Sequence, residues 1–338
     1  MKSDKNRQWR LASRPKGMVS KSDFQWVEEP IPSIGEGEIL VRVLYLSCDP
    51  TQRGWMAMDS YMPAVAIGEV MRAIGIGVVE KSNHPDFAPG DMVSGMTGWQ
   101  DYAVFNANGP GRPSKIPQGV LPTLALSALG HTGLTAYFGL LDVGKIREGE
   151  TVVVSGAGGA TGSMACQIAK IKGCRVIGIA GGAEKCKWLV SELGVDAAID
   201  YKHEDVEKRL KELCPDGINV YFDNVGGPIL DAALGELAMR GRVVICGAIS
   251  GYNADELPPG PKKYLNLLVK RGRMEGFIIF DYIGRAGEAI KDLAAWMMEG
   301  KIKDRVEIEE GLENAPNALQ RIFKGENTGK QLVKVSDP

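Results

Sequence analysis

Between Ser20 and about Ala128, hydrophobic and polar positions alternate in short β-rich runs, such as EILVRVLYLS (38–47), AIGIGVVEKS (73–82) and DMVSGMTGWQDYAVF (91–105). Proline- and glycine-bearing turns, IPSIGEGE and FAPGD, separate them. That texture predicts a β-rich, barrel-like domain. From LALSALGHTGLTAYFGLL onward the hydrophobic period lengthens towards that of a helix. Strand patterns at 151–156, 174–181, 197–201 and 218–226 then alternate with helix patterns at 163–173, 184–194 and 206–214. Repeated β-α-β order predicts a parallel sheet covered by helices on both faces, a doubly wound α/β domain. Two more strands are expected at 241–250 and 272–280, then a helix over 286–302 and a last strand at 329–337. The expected division is 1–128 with 300–338 for the β-rich domain and 129–299 for the α/β domain.

Composition narrows the class. With 338 residues, 44% of them hydrophobic and 24% charged, the chain is long enough for two separate cores. Its 40 basic and 42 acidic residues are mixed along the sequence, so no broad field favours nucleic acid or a membrane surface. The six cysteines, Cys48, Cys166, Cys174, Cys186, Cys214 and Cys246, form no CxxC pair. The polar stretch MKSDKNRQWRLASRPKG has no apolar signal core, and the reading is a cytoplasmic protein with reduced thiols and no membrane span.

The stretch VVVSGAGGATGSMACQIAK (152–170) joins a buried-strand pattern, a glycine turn and a helix. Gly156, Gly159 and Gly162, with Gly158 between them, let a backbone bend sharply and approach a pyrophosphate. Ala160 and Thr161 then open a helix whose first N–H groups face that charge. A bare glycine turn is equally a structural turn; the strand before it, the helix after it and the next strand at the expected distance turn the reading to a dinucleotide. Where an NAD site usually offers a carboxylate, this chain reads AGGAEK, with Gly181 and Gly182. Lys185 and Tyr201 lie within reach of an added ribose phosphate, so NADPH/NADP+ is the expected cofactor. Lys185 as a solvated surface lysine, and Glu184 as the ribose acid, are the competing readings.

More particular phrases resemble the zinc-free branch of the medium-chain dehydrogenase/reductase family, which holds prostaglandin reductases, alkenal double-bond reductases and bacterial NADPH-dependent curcumin reductases. They include LSCDPTQRGWM, GWQDYAVF, ALGHTGLTAYFGL, YFDNVGG, CGAISGYN and GENTGKQLVKV, spread over nearly the whole chain. The resemblance implies a Rossmann domain with a GroES-like β-rich domain, and reduction of the C=C bond of α,β-unsaturated aldehydes or ketones without a metal. Cys48 stands where zinc enzymes of the family place a ligand, but Gly68 and Glu69 leave no histidine in the next ligand region. The resemblance further implies Tyr252 and Tyr61 as catalytic tyrosines. Asn224, Ile249, Ser250 and Asn327 join the cofactor contacts, and Arg53 and Phe280 join the two tyrosines around the substrate. Thr51 and Gln52 depart from the family's aromatic and methionine at those places. Homodimers with sheets joined edge to edge are common in the family, and RMEGFIIFDY (273–282) is the expected contact. A quinone reductase, a metal-independent secondary-alcohol dehydrogenase and an NADPH-holding sensor without turnover stay open as alternatives.

Overall fold

The computed structural model describes residues 4–256 and 258–338, which divide into two compact units, Met1–Leu126 with Val306–Pro338 and Ser127–Arg305. The first unit opens with an antiparallel pair, β1 (Lys5–Leu11) and β2 (Phe24–Pro30). β1 had no hydrophobic signature, because Asn6 and Gln8 are among its buried positions. Asn6 pairs there with the Tyr102 backbone, and Gln8 with the Gln100 side chain. Next come β3 (Glu38–Ser47), a short helix α1 (Thr51–Ala57), β4 (Gly75–Ser82), β5 (Met92–Gly95), β6 (Tyr102–Asn106), β7 (Ser114–Lys115) and α2 (Pro122–Leu126). The single strand expected over 91–105 is thus two: Gly98, at φ 68°, turns the chain between them.

The second unit begins with α3 (His131–Phe138) and continues through β8 (Thr151–Ser155), α4 (Ala160–Ile171), β9 (Arg175–Ala180), α5 (Ala183–Ser191), β10 (Ala197–Asp200), α6 (Val206–Leu213), β11 (Ile218–Asp223), α7 (Gly227–Gly235), β12 (Leu237–Ile245), α8 (Leu265–Lys270), β13 (Arg273–Gly276) and α9 (Ala286–Met298). Its six strands pair in parallel in the order β10-β9-β8-β11-β12-β13. Val152, Val154, Val176, Val220, Phe222 and Val244 face one core layer, and Val153, Ile177, Ile179, Tyr221 and Val243 the other, so the central strands read as unbroken apolar runs. The strand expected at 272–280 stops at Gly276. Tyr282 stacks on Phe138 with centroids 4.7 Å apart and meets Phe277 edge-on, and this aromatic packing draws Ile279–Arg285 into 3-10 turns. α9 ends before Gly300, whose φ of 70° closes the helix.

The chain then returns to the first unit with β14 (Val306–Glu310), α10 (Ala315–Lys324) and β15 (Lys330–Lys334). There the larger sheet runs β14-β15-β3-β4-β5-β7, with β6 also on β3. Among the described residues no helix is long and apolar enough to cross a membrane.

Candidate active site

Three helices of the second unit start on glycine at the carboxyl edge of the parallel sheet. Gly159, Gly182 and Gly226 are the N-caps of α4, α5 and α7, and none supplies a side-chain cap. The first N–H groups of a helix have no partner within it, so these caps leave bare donors at positive helix ends. By contrast α6 is closed by Asp205, which accepts from the Lys208 N–H at 3.1 Å. The turn before α4 is also too tight for side chains. A Cβ at Gly162 would stand 2.2 Å from the Gly156 carbonyl oxygen and 2.8 Å from the Ala157 Cα. Ala160 and Thr161, half-buried, begin the helix above it. These features fit a dinucleotide pyrophosphate.

Lys185 and Tyr201 come to this turn from different elements. The Lys185 stem runs so close to Gly158 that a Cβ there would meet its Cδ at 3.0 Å. The Tyr201 ring covers Gly181, with ring atoms 2.9 Å from the same construction. Asp200, at the end of β10, fixes the second glycine turn: its Oδ1 accepts from the Gly182 N–H at 2.8 Å and the Lys202 N–H at 3.1 Å, and Oδ2 meets His203 Nδ1 at 2.8 Å. Burial pushes this carboxyl up, but those hydrogen bonds outweigh it and hold the group below its usual value. Its oxygens are thus engaged by the turn, while Glu184 is exposed on the first turn of α5.

A carboxylate that sequence reasoning missed organises the other half of this edge. Asp223, at the end of β11 and 1% exposed, accepts at Oδ1 from Tyr221 OH (2.9 Å), Ser155 Oγ (3.0 Å), Val225 N–H (3.0 Å) and Gly226 N–H (2.9 Å). Its main-chain carbonyl takes the N–H groups of Cys246 and Gly247 at 2.9 and 3.0 Å. Oδ2 is buried with no hydrogen-bond partner among the described residues, and burial raises the carboxyl above its usual value despite the donors around it. The signal in the sequence was an acidic residue closing a strand three positions before a glycine helix cap.

Through that hub the remaining predicted residues of this unit come together. Asn224 donates its amide to the Ser155 carbonyl at 2.7 Å, and its own carbonyl accepts from the Ile249 N–H at 3.2 Å. Ser250 Oγ donates to the Val225 carbonyl at 2.6 Å. The Tyr252 phenol oxygen accepts the Ala248 N–H at 3.2 Å, which aims its ring. Tyr252 lines an open cleft of about 500 Å³ with Gly247, Ala248, Phe277 and Ile278. Phe280, 39% exposed, lies in the 3-10 turns beyond the cleft-lining Ile278 but is not itself among the lining residues.

In the first unit, Tyr61 is 46% exposed, with its phenol oxygen 2.5 Å from Thr51 Oγ1 and 3.2 Å from the donating Trp55 Nε1. Arg53, expected beside the substrate, is 4% exposed, and its guanidinium donates to the carbonyls of Pro15 (3.0 Å) and Gly17 (3.2 Å), bracing a loop. Asn327 is buried and donates to the Gly329 carbonyl at 2.9 Å. Burial pushes the Cys48 thiol up to about 12. The neighbouring Lys330 ammonium bonds the Cys48 carbonyl and Asp49 Oδ1, both at 2.8 Å. Glu69 accepts the Ala66 N–H at 3.0 Å. Among the described residues no group of three or more His, Cys, Asp or Glu is placed to hold a metal ion.

A parallel sheet with bare helix ends and a glycine turn at its carboxyl edge, joined to a β-rich unit, defines a dinucleotide-binding protein of the dehydrogenase type. Comparison agrees. Residues 7–111 match the family described as the N-terminal domain of oxidoreductase, and residues 160–297 the one described as zinc-binding dehydrogenase. The chain is 44% identical to the NADPH-dependent curcumin reductase of Escherichia coli (strain K12), over 98% of this chain and 97% of that one. It is 39% identical to the 2-alkenal reductase (NADP(+)-dependent) of Nicotiana tabacum, over 98% of each. The crystal structure of CurA in complex with NADPH from Vibrio vulnificus superposes with a TM-score of 0.93 at 46% identity, covering 98% of this chain and 100% of that one. The chain belongs to the medium-chain dehydrogenase/reductase family, in the branch of the curcumin, prostaglandin and alkenal reductases.

Proposed function

We propose that this protein is an NADPH-dependent reductase of the C=C bond in α,β-unsaturated aldehydes and ketones. The observation that carries the reading is the pairing of Lys185 with Gly158 and of Tyr201 with Gly181, beside a second glycine turn whose nearest buried carboxylate, Asp200, is already engaged. A cation and a phenol there suit a ribose phosphate. The names of the relatives, an NADPH-dependent curcumin reductase and an NADP(+)-dependent 2-alkenal reductase, support the same cofactor and substrate class.

When bound, NADPH supplies a hydride to the β-carbon of the conjugated carbonyl. The rest is the work of the chain's own groups. The N–H groups at the start of α4, including those of Ala160, Thr161 and Gly162, would hold the pyrophosphate of the cofactor. Asn224, Ile249 and Ser250, gathered at the same sheet edge, would meet the ribose and carboxamide of the cofactor, and Asn327 in the first unit is a cofactor contact on the family resemblance alone. Tyr252 donates a hydrogen bond to the substrate oxygen as it gains enolate charge, which a phenol does while staying neutral near pH 7. Tyr61 lines the substrate side in the first unit. The balance is one enone, one NADPH and one proton giving one saturated carbonyl compound and NADP+.

A homodimer completes the proposal. β13 is the last strand of its sheet, every residue of it is exposed, and Met274, Leu268 and Ile283 leave apolar surface around it. All six cysteines are unpaired, which suits a reducing cytoplasm.

The test follows NADPH consumption with an alkenal, an enone, a quinone and a saturated ketone, each with and without a chelator, and identifies products by mass. Saturated aldehyde and ketone products, indifferent to chelator, are expected. Turnover of the quinone or the saturated ketone alone, or a clear preference for NADH, overturns the reading.

A further inference from the structure

Nine residues line the cleft beside Tyr252, and Asp281 is the one charged residue among them. Ile245, Cys246, Phe277 and Ile278 give it apolar walls, so this cleft of the second unit offers a phenol, a hydrocarbon surface and a carboxylate. Asp281 stands exposed in the 3-10 turns after β13, with its main-chain N–H spent on the Ile278 carbonyl at 3.1 Å. Its carboxylate makes no hydrogen bond or ion pair among the described residues. The cation of the same segment is committed elsewhere: Arg285 donates to Asp142 at 2.8 Å and to Glu288 at 2.6 Å. Arg273 of β13 faces Glu275 at 3.7 Å.

We infer that Asp281 selects among conjugated carbonyl substrates by the charge of their far end. Compounds whose tail is neutral, or donates a hydrogen bond, are taken, and compounds that end in a carboxylate are turned away. This rests on the enone-reductase reading and adds to it the class of substrate: an apolar enone or enal with a neutral or hydroxyl-bearing tail.

Repulsion decides the matter because no cation in the lining offsets it. A cleft of about 500 Å³ is of the order of one Debye length across, about 10 Å at 0.1 M salt, so a carboxylate seated in it is only partly screened from Asp281. Seating that group also strips water from a charge without supplying a partner. An unpaired like charge is a direct way to reject a competitor. A hydroxyl tail, by contrast, finds an acceptor in Asp281. The field of this wall is already negative: burial first, then the charges of Asp142 and Glu275, hold the Tyr282 phenol above its usual value, with Asp281 adding to them and Arg285 opposing.

Steady-state kinetics on three alkyl enones of one length, ending in a carboxylate, its methyl ester and an alcohol, test this with the wild type, Asp281→Asn and Asp281→Lys. For the wild type, kcat/KM for the acid is expected about tenfold or more below that for the ester, with the alcohol matching or exceeding the ester. The gap narrows in about 0.5 M salt, which a steric barrier does not do. Asp281→Asn is expected to bring acid and ester within about threefold, and Asp281→Lys to place the acid above the ester. Asp281 is exposed, and NADPH affinity within about twofold of wild type confirms that each variant is folded. A wild type that handles acid and ester alike, or an acid-to-ester ratio that both variants leave unchanged, overturns the proposal. Reduction of the ester by the wild type separates this from the reading beneath it. If no enone is reduced, that reading has failed, and the ratio is taken from binding of the saturated acid and ester to the NADP+ complex. An ester preference lost in Asp281→Asn then supports the selector, and a ratio the variant leaves unchanged removes it.

Discussion

Lys185 shows how one side chain takes on a role through its neighbours. A lysine early in α5 has no chemistry of its own. Its stem lies against Gly158 of the glycine turn, where a Cβ would meet the Lys185 Cδ at 3.0 Å. A hydrogen bond between charged groups is worth about 1.5–3 kcal/mol, so Lys185→Ala is expected to raise KM for NADPH roughly 10- to 100-fold while KM for NADH changes little. Equal losses with both cofactors would assign Lys185 to general folding. The glycine turn was legible in the sequence because glycine spacing announces it, and the places of Lys185 and Tyr201 beside glycines follow from the helix start and strand end they occupy. A sequence does not show that the Arg53 guanidinium is buried on the carbonyls of Pro15 and Gly17.

At the scale of elements, the carboxyl edge of the sheet is held open by what its helices lack and held in place by Asp223. α4, α5 and α7 begin on glycine, and the loops after β11 and β12 hang from one carboxylate and its own carbonyl. Asp223→Ala strips an acceptor from Tyr221, Ser155, Val225 and Gly226. With about 1–3 kcal/mol for each buried donor left unsatisfied, a loss of at least ~3 kcal/mol is expected in denaturant unfolding. The sign with pH is also set. Burial raises this carboxyl, so its contribution is fully present below the unfolded value near 3.9 and fades as pH rises through the higher folded value. The variant should therefore lose that part of the fall in stability as pH rises above about 4; an unchanged slope would remove Asp223 from the account. Elements with a regular apolar period, β3, α4, α6 and β8 among them, were visible from sequence. β1, with Asn6 and Gln8 turned inward, and β13, cut short by the packing of Phe277 and Tyr282, were not.

For the whole molecule, the parallel sheet ends on a strand with an open side. Exposed edges invite pairing, and an identical chain pairing β13 with β13 would continue the sheet across a two-fold axis. Met274→Glu, placed on that strand, is expected to shift the protein from dimer towards monomer in sedimentation or light scattering, because like charges opposite one another destabilise a strand pair. A wild type that is monomeric at micromolar concentration would refute the dimer.

The order of strands and helices, the division into a β-rich and a doubly wound part, the glycine turn and the family followed from the sequence, because hydrophobic period and glycine spacing are local properties that a chain carries before it folds. The grouping of Asp223 with Ser155, Tyr221 and the loops after two strands, the burial of Arg53, and the hydrogen bonds that join Tyr61 to Trp55 and Thr51 were decided only by tertiary structure. Each depends on residues from separate segments meeting at hydrogen-bond distance, and no period along the chain records such a meeting.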